Sequence, residues 1–319
     1  MTRRPRIACI GELLVEFVCA DKNGRHRRAG AYAGPFPSGA PGIFIDQAAR
    51  AGGGCIFVGA VGDDAFGSVI LDRLNEAGVD VSLIHKVEGV PTGSAFVSYN
   101  DDGSRDFVFN IAHSAAARFD TDEATLAALA AFKLDVLHVS GSALGDVAMR
   151  EKILRAAAAL YAQGVKISFD PNIRKELVSD PGYFGAVRAL MDIAAIFLPS
   201  DDDAAELFPG RSLAQFAPEL FAKGADYVVL KKGAQGCEGM SRSGASASLK
   251  AHCVEVIDPT GAGDCFCATF VTLITSGMHD FSNTLARANA AGALAVGKVG
   301  PMEGNSRAAA FEALLSVRA

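Results

Sequence analysis

Short apolar runs of strand length alternate with longer amphipathic stretches along most of the chain, and several of those stretches end at glycine. RIACIG (6–11) precedes PGIFIDQAARAG (41–52), and CIFVGAVG (55–62) precedes AFGSVILDRLNEAG (65–78). Further strand-like runs fall at 135–140, 165–170, 194–199 and 226–233, with helical patterns at 146–163, 182–192 and 212–223. A glycine after the last periodic residue supplies the left-handed cap that stops a helix. This alternation predicts an α/β fold, a mainly parallel central sheet covered by helices on both faces. Ligands of such sheets lie beyond the carboxyl ends of the strands. With 319 residues, half of them apolar, the chain can bury a substantial core, and it is read as a single domain over 1–319.

Two segments break the rhythm. Residues 13–33 hold LLVEFVCA, a basic turn and RRAGAYAG, while 93–110 read GSAFVSYNDDGSRDFVFN and turn at Asp101, Asp102 and Gly103. Each reads as a strand pair, and together they predict a small β-sheet projecting from the main body. Its expected role is a lid, because enzymes that handle reactive phosphates must exclude water. Open edges on such a lid would also let it pair with a second copy, a route to a homodimer.

Composition removes several function classes. The formal net charge of -6 offers no basic excess for nucleic acid, and the clusters Arg3, Arg4, Arg6 and Lys22, Arg25, Arg27, Arg28 read as solvated surface. No stretch is long and apolar enough for a membrane span, and no signal-peptide core is seen. The seven cysteines show no metal or CxxC spacing, as expected of reduced thiols in a cytoplasmic protein.

DPTGAGDCF (258–266) is the segment that points to chemistry. Gly261, Ala262 and Gly263 leave the backbone free to turn tightly, and the apolar run that follows reads as a buried helix. Unpaired N–H groups at such a helix start suit an anion. Asp264 then stands beside an anion site, where a carboxylate repels the ligand unless it has a task. Phosphoryl transfer supplies one: the amides hold phosphate charge and the aspartate takes a proton. The GxxxxGK[ST] and GxGxxG patterns are missing, which argues against a P-loop and a dinucleotide fold.

The GAGD segment resembles the C-terminal signature of the ribokinase-like (PfkB) family of sugar kinases. The likeness continues in order along the chain, through GELLVEF (11–17), SGAPG (38–42), VGAVGDDAFG (58–67), PTGSAF (91–96), FDPNIR (169–174), LPSDDDAAEL (198–207) and VVLKKGAQG (228–236). It implies a three-layer α/β/α sandwich with a β-sheet lid, and ATP-dependent phosphorylation of a small carbohydrate. The FDPN segment and the GAP turn look like those of fructokinase and 2-keto-3-deoxygluconate kinase relatives. They favour a ketohexose such as fructose or tagatose, with the keto-deoxy acid, or a non-catalytic sugar- or nucleotide-binding protein on the same fold, as the alternatives.

Residue by residue, the resemblance makes Asp264 the base and the amides of Gly261, Ala262 and Gly263 the anion hole. Glu16 and Gly39 fall where the family binds sugar hydroxyls, and Arg174 where a carboxylate or phosphate is met. Ser200 and Asp203 replace an N-x-x-E motif that helps organise Mg²⁺, here through water. Lys231, Lys232, Gly233, Gly236 and Asn289 fall at the nucleotide. Asp258 matches the place of a monovalent cation, K⁺, held by backbone carbonyls. One departure is plain: Ile43 stands where the family has an asparagine that holds the sugar, and Asp46, one turn later, is the candidate to compensate.

Overall fold

The computed structural model describes residues 4–24, 26–102, 104–178, 180–277 and 280–316. Arg3, Arg25 and the turn glycine Gly103 therefore lie outside the described residues. In chain order the first half comprises β1 (Arg6–Ile10), β2 (Leu14–Cys19), β3 (Tyr32–Ser38), α1 (Ala40–Arg50), β4 (Gly54–Gly62), α2 (Ala65–Ala77), β5 (Val79–Val87), β6 (Gly93–Tyr99), β7 (Arg105–Asn110) and α3 (Glu123–Ala131). Next come β8 (Val136–Ser140), α4 (Val147–Ala162), β9 (Lys166–Asp170), α5 (Gly182–Ile193), β10 (Ala194–Phe197), α6 (Asp201–Leu207) and α7 (Leu213–Lys223). The chain closes with β11 (Tyr227–Lys231), β12 (Cys237–Ser241), β13 (Ser246–Leu249), α8 (Ala262–Ser276), α9 (Phe281–Ala295) and α10 (Ala308–Ser316).

Strand periodicity builds the three layers. Side chains alternate across a strand, so a strand buried on both faces feeds two cores. In β1, Ala8 and Ile10 join one core with Ile153 and Leu160 of α4 and Val187 of α5. Ile7 and Cys9 join the other, with Phe44 of α1, Ile70 of α2 and Phe270 of α8. The large sheet runs β13-β12-β11-β10-β9-β8-β1-β4-β5, with β1 paired in parallel to both β4 and β8. Its strands are parallel from β5 to β11, while β12 and β13 add antiparallel. β5, β12 and β13 are additions to the expected elements. The last two are rich in Gly and Ser, so they lack the β-branched run that marks a strand.

A second, smaller sheet runs in the order β3-β2-β6-β7. Its central pair, β2 and β6, is parallel, and β3 continues to Ser38, directly before α1. Phe17 of β2 stacks on Phe96 of β6 with ring centres 5.1 Å apart and meets Phe66 of α2 edge-on at 5.6 Å. Tyr99, at the end of β6, donates its hydroxyl to Asp258 in the segment that leads into α8. Arg4 and Arg6, expected as solvated, spend guanidinium donors on the carbonyls of Gly53 and Phe132. Among the described residues no helix is long and apolar enough to cross a membrane.

Candidate active site

The parallel strands end on one side, and the polar residues that follow them meet there. Glu12 follows β1, Ser142 follows β8, Asn172 and Arg174 follow β9, and Lys231 ends β11. Two glycine turns face these strand ends. Gly39 caps α1 at φ 99°, and a Cβ there would come within 2.6 Å of the Glu12 carbonyl oxygen. Gly261 caps α8 at φ 84°, and its Cβ would meet the Pro301 carbonyl oxygen at 2.5 Å. Both positions combine a left-handed backbone with close approach, so glycine alone satisfies them. No side chain caps α8, which leaves its first amides available.

Two cavities share the turn at 258–264. One, of about 300 Å³, is lined by Glu12, Glu16, Gly39, Arg174 and Asp264, with Arg105, Phe107 and Phe109 arriving from β7 of the small sheet. The other, of about 470 Å³, is mainly apolar, with Val254, Val256 and Phe266 beside Gly233, Gly236 and Asn289, and with Ala262 and Gly263 in its wall. A polar cavity thus lies on one side of the turn and an apolar one on the other, with room for two ligands to meet across the start of α8.

Asp264 lies in the first turn of α8 and is 8% exposed. Burial first, then the negative charge of Asp170, push its carboxyl up to about 7, against the pull of Lys231 and Arg174. Lys231 forms a buried ion pair with Asp170 at the end of β9. Burial works against the ammonium, but the carboxylate of Asp170 outweighs it and holds Lys231 charged. A Cβ on Gly263 would sit 3.6 Å from the Lys231 nitrogen, so this cation also lies against the anion turn.

Glu16 is 3% exposed, and burial and the Asp258 charge raise its carboxyl to about 8. Between the ordinary carboxyl range and pH 8 the folded protein therefore binds a proton that the unfolded chain releases. Stability contributed by this group falls as pH rises through that window. Glu16→Gln is expected to match the wild type in Tm at pH 4.5 and to exceed it by a few degrees at pH 8.5, read by ligand-free thermal melts. Equal melting temperatures at both pH values would remove the raised carboxyl.

Three expectations, those for Asp46, for Ser200 with Asp203, and for Lys232, meet a different arrangement. Asp46 is fully buried on α1, away from both cavities. Its oxygens take Arg50 Nε at 2.9 Å, Arg73 Nε at 3.0 Å and Asn305 Nδ2 at 2.6 Å. It ties α1 to α2 and to the 300–306 segment, so it leaves nothing for a sugar. Ser200 and Asp203 form a capping box at the start of α6. Asp203 accepts from Ser200 N at 2.8 Å and the Ser200 hydroxyl at 2.7 Å with one oxygen and from Ile173 N at 2.8 Å with the other, so most of its lone pairs are engaged within the protein. Lys232, just past the end of β11, points to Glu238 at 2.8 Å and does not line the apolar cavity. Asp258 spends its carboxylate on Thr260 N, Gly300 N and the Tyr99 hydroxyl, which leaves any cation there to backbone oxygens. Asn289 does reach the apolar cavity while donating to the Lys250 carbonyl at 2.8 Å.

Sequence reasoning missed Glu12, Arg105 and Asp170. Asp170 stands inside the quoted FDPNIR, and its signal was position: a carboxylate at the carboxyl end of a predicted central strand. Arg105 lay in the lid strand with no pattern to mark it. Among the described residues no group of three or more His, Cys, Asp or Glu converges to hold a metal ion.

An α/β/α sandwich with a buried aspartate at an anion turn between two cavities defines a group-transfer enzyme of the ribokinase-like fold. More narrowly, the chain belongs to the pfkB family of carbohydrate kinases, whose family model matches residues 4–308. An Escherichia coli fructokinase is 31% identical across 84% of this chain and 88% of that protein. A 2-dehydro-3-deoxygluconokinase of Thermoproteus tenax is 32% identical across 86% of this chain and 83% of its own length. Among solved structures, an E. coli protein described as ribokinase II, in complex with ATP and Mg²⁺, superposes with a TM-score of 0.89 at 35% identity, covering 98% of this chain and 99% of the other. A Vibrio cholerae O395 fructokinase double mutant, bound to fructose, ADP and potassium, gives 0.82 at 25% identity, with 99% of both chains covered.

Proposed function

We propose that the protein transfers the γ-phosphate of Mg-ATP to a hydroxymethyl group of a small carbohydrate, a ketohexose such as fructose or tagatose. The observation that carries this is the place of Asp264, on the wall of the polar cavity and in the first turn of the helix whose amides face the apolar one. The sugar occupies the polar cavity, held by Glu16, the Gly39 turn and Arg174. Asp264 takes the hydroxyl proton as the new O–P bond forms. The amides of Gly261, Ala262 and Gly263, with Lys231 alongside, meet the charge that develops on the phosphoryl group. Asn289, Gly233 and Gly236 border the nucleotide in the apolar cavity. The lid's Phe107 and Phe109 keep water from the acceptor, and both sheets work as one catalytic unit.

Mg²⁺ neutralises phosphate charge when it enters on the nucleotide. Because Asp170 is paired with Lys231 and Asp203 with the backbone, the fit is to a metal carried by ATP and keeping most of its waters. The bound potassium of the Vibrio cholerae relative supports K⁺ near Asp258, held by main-chain oxygens. The seven free thiols, five of them buried, suit a cytoplasmic setting.

One observation favours an acidic sugar as a second reading. Arg105 and Arg174 both line the polar cavity, neither has an ion-pair partner among the described residues, and burial together with Arg174 depresses Arg105. Two guanidinium groups that repel each other are a receptor for a carboxylate, such as that of 2-dehydro-3-deoxygluconate. The deciding experiment is ADP release from Mg-ATP over fructose, tagatose, ribose, glucose, 2-dehydro-3-deoxygluconate and adenosine, with sedimentation of the same sample. Turnover with a ketohexose is the expected result, and preference for the keto acid establishes the second reading. ATP binding without turnover on any acceptor makes the protein a binder rather than a kinase. A mass of one chain removes a dimer through the lid's free edges at β3 and β7.

A further inference from the structure

Glu12 follows β1, an interior strand of the large sheet, and is 5% exposed. Its Oε1 accepts from the Ser142 hydroxyl at 2.8 Å. Ser142 is in turn joined to Ser140 at 3.0 Å, and Ser140 accepts from Asn172 Nδ2 at 3.2 Å, so the carboxylate is aimed by a chain of three side chains. Its other oxygen, Oε2, is buried with no hydrogen-bond partner among the described residues. The residue lines the same cavity as Asp264 and Glu16, and Glu16 also keeps one buried oxygen, Oε1, without a partner.

A buried carboxylate oxygen with no donor is costly to keep, and a fold free to choose would fill it. Here two such oxygens share one cavity, and neither has a donor in hydrogen-bond geometry among the described residues. A ligand rich in hydroxyl groups supplies both. Burial raises the Glu12 carboxyl to about 7, so near neutrality the group can donate to a hydroxyl oxygen or accept from a hydroxyl proton.

We propose that Glu12 is a substrate-binding residue that reads one hydroxyl of the acceptor other than the hydroxyl that is phosphorylated. The inference rests on the sugar-kinase reading and deepens it, since Asp264 is already engaged with the reacting hydroxyl. A site built around a hydrogen bond rejects the analogue that lacks it far more strongly than an apolar pocket rejects a missing methylene. Ser142, Ser140 and Asn172 act behind Glu12 by fixing its direction.

The test compares wild type, Glu12→Gln and Glu12→Ala on the preferred acceptor and on its mono-deoxy analogues. Wild type is expected to disfavour one deoxy analogue by about 10²-fold or more in kcat/KM, and Glu12→Ala to lose that preference while keeping the others. Glu12→Gln should raise the acceptor KM about tenfold or more and leave the KM for ATP within about twofold. Should Glu12→Ala fail to fold, the near-isosteric Gln variant carries the comparison. Variants that retain every hydroxyl preference, or lose ATP and acceptor binding equally, overturn the role of Glu12 while wild-type turnover upholds the kinase. If wild type turns over no sugar, calorimetry of the same panel against wild type and Glu12→Gln decides. Binding that the variant weakens for the intact sugar but not for one deoxy analogue supports Glu12 without the kinase; absence of sugar binding overturns both.

Discussion

Asp264→Asn is expected to lower kcat by about 10²–10⁴-fold, the usual contribution of a positioned base, with the KM values for ATP and acceptor changed by less than about fivefold. The loss falls on kcat because asparagine keeps the size of the side chain and the turn around it, but has no basic oxygen for the hydroxyl proton. A second signature follows from the raised carboxyl. Only the ionised form accepts a proton, so wild-type kcat/KM should climb with pH up to about 7 and level off above it. The residual activity of the variant should show no such limb. The same group lowers stability as pH rises from the ordinary carboxyl range to about 7, because the folded state holds its proton more firmly than the unfolded chain. Asp264→Asn should therefore melt higher than wild type at pH 8 in the absence of ligands. A variant that keeps wild-type kcat would remove Asp264 as the base.

Lys231→Met should be the most damaging single change to the fold near the site. It leaves Asp170, 2% exposed, as a buried carboxylate without its cation, a situation that costs about 3–5 kcal/mol. Urea unfolding of Lys231→Met should show that loss, and the double variant Lys231→Met, Asp170→Asn should recover most of it. Activity separates the roles further. Lys231 pulls the Asp264 carboxyl down and Asp170 pushes it up. The acid limb of kcat/KM should move to higher pH in Lys231→Met and to lower pH in Asp170→Asn, both assayed under conditions where each is folded. Parallel shifts in the two variants would contradict the pairing.

The layered fold could be read from the chain because β1, β4 and β11 are nearly continuous apolar runs, which is what burial on both faces demands. Helix ends at Gly78 and Gly224 could be read because their left-handed caps leave a glycine in place. The anion turn was visible for the same reason, in Gly261. Less visible was any property that depends on a partner far along the chain. Asp46 looked like a lone polar residue on an apolar helix, and only the fold brings Arg73, 27 residues on, to its oxygen. Ser200-x-x-Asp203 has the spacing of a capping box, and the local bonds took the carboxylate that a metal would need. Adjacent lysines 231 and 232 carried equal promise in sequence, yet Lys231, the last residue of β11, reaches Asp170, while Lys232, already in the turn beyond it, pairs with Glu238. Glu12 hid in GELLVEF because the acidic residue four places later filled the expected role.

The sheet order has a consequence for the time at which this protein can be made whole. β1 is synthesised first yet lies inside the sheet, and its edge toward β8 cannot close until Val136–Ser140 has been made. At ordinary synthesis rates that interval, about 130 residues, lasts on the order of ten seconds. Throughout it, the first strand offers an open hydrogen-bonding edge to any neighbouring chain. Asp264 arrives later still, so no nascent fragment carries both walls of the polar cavity, and activity in a fresh preparation reports that the last third of the chain has docked.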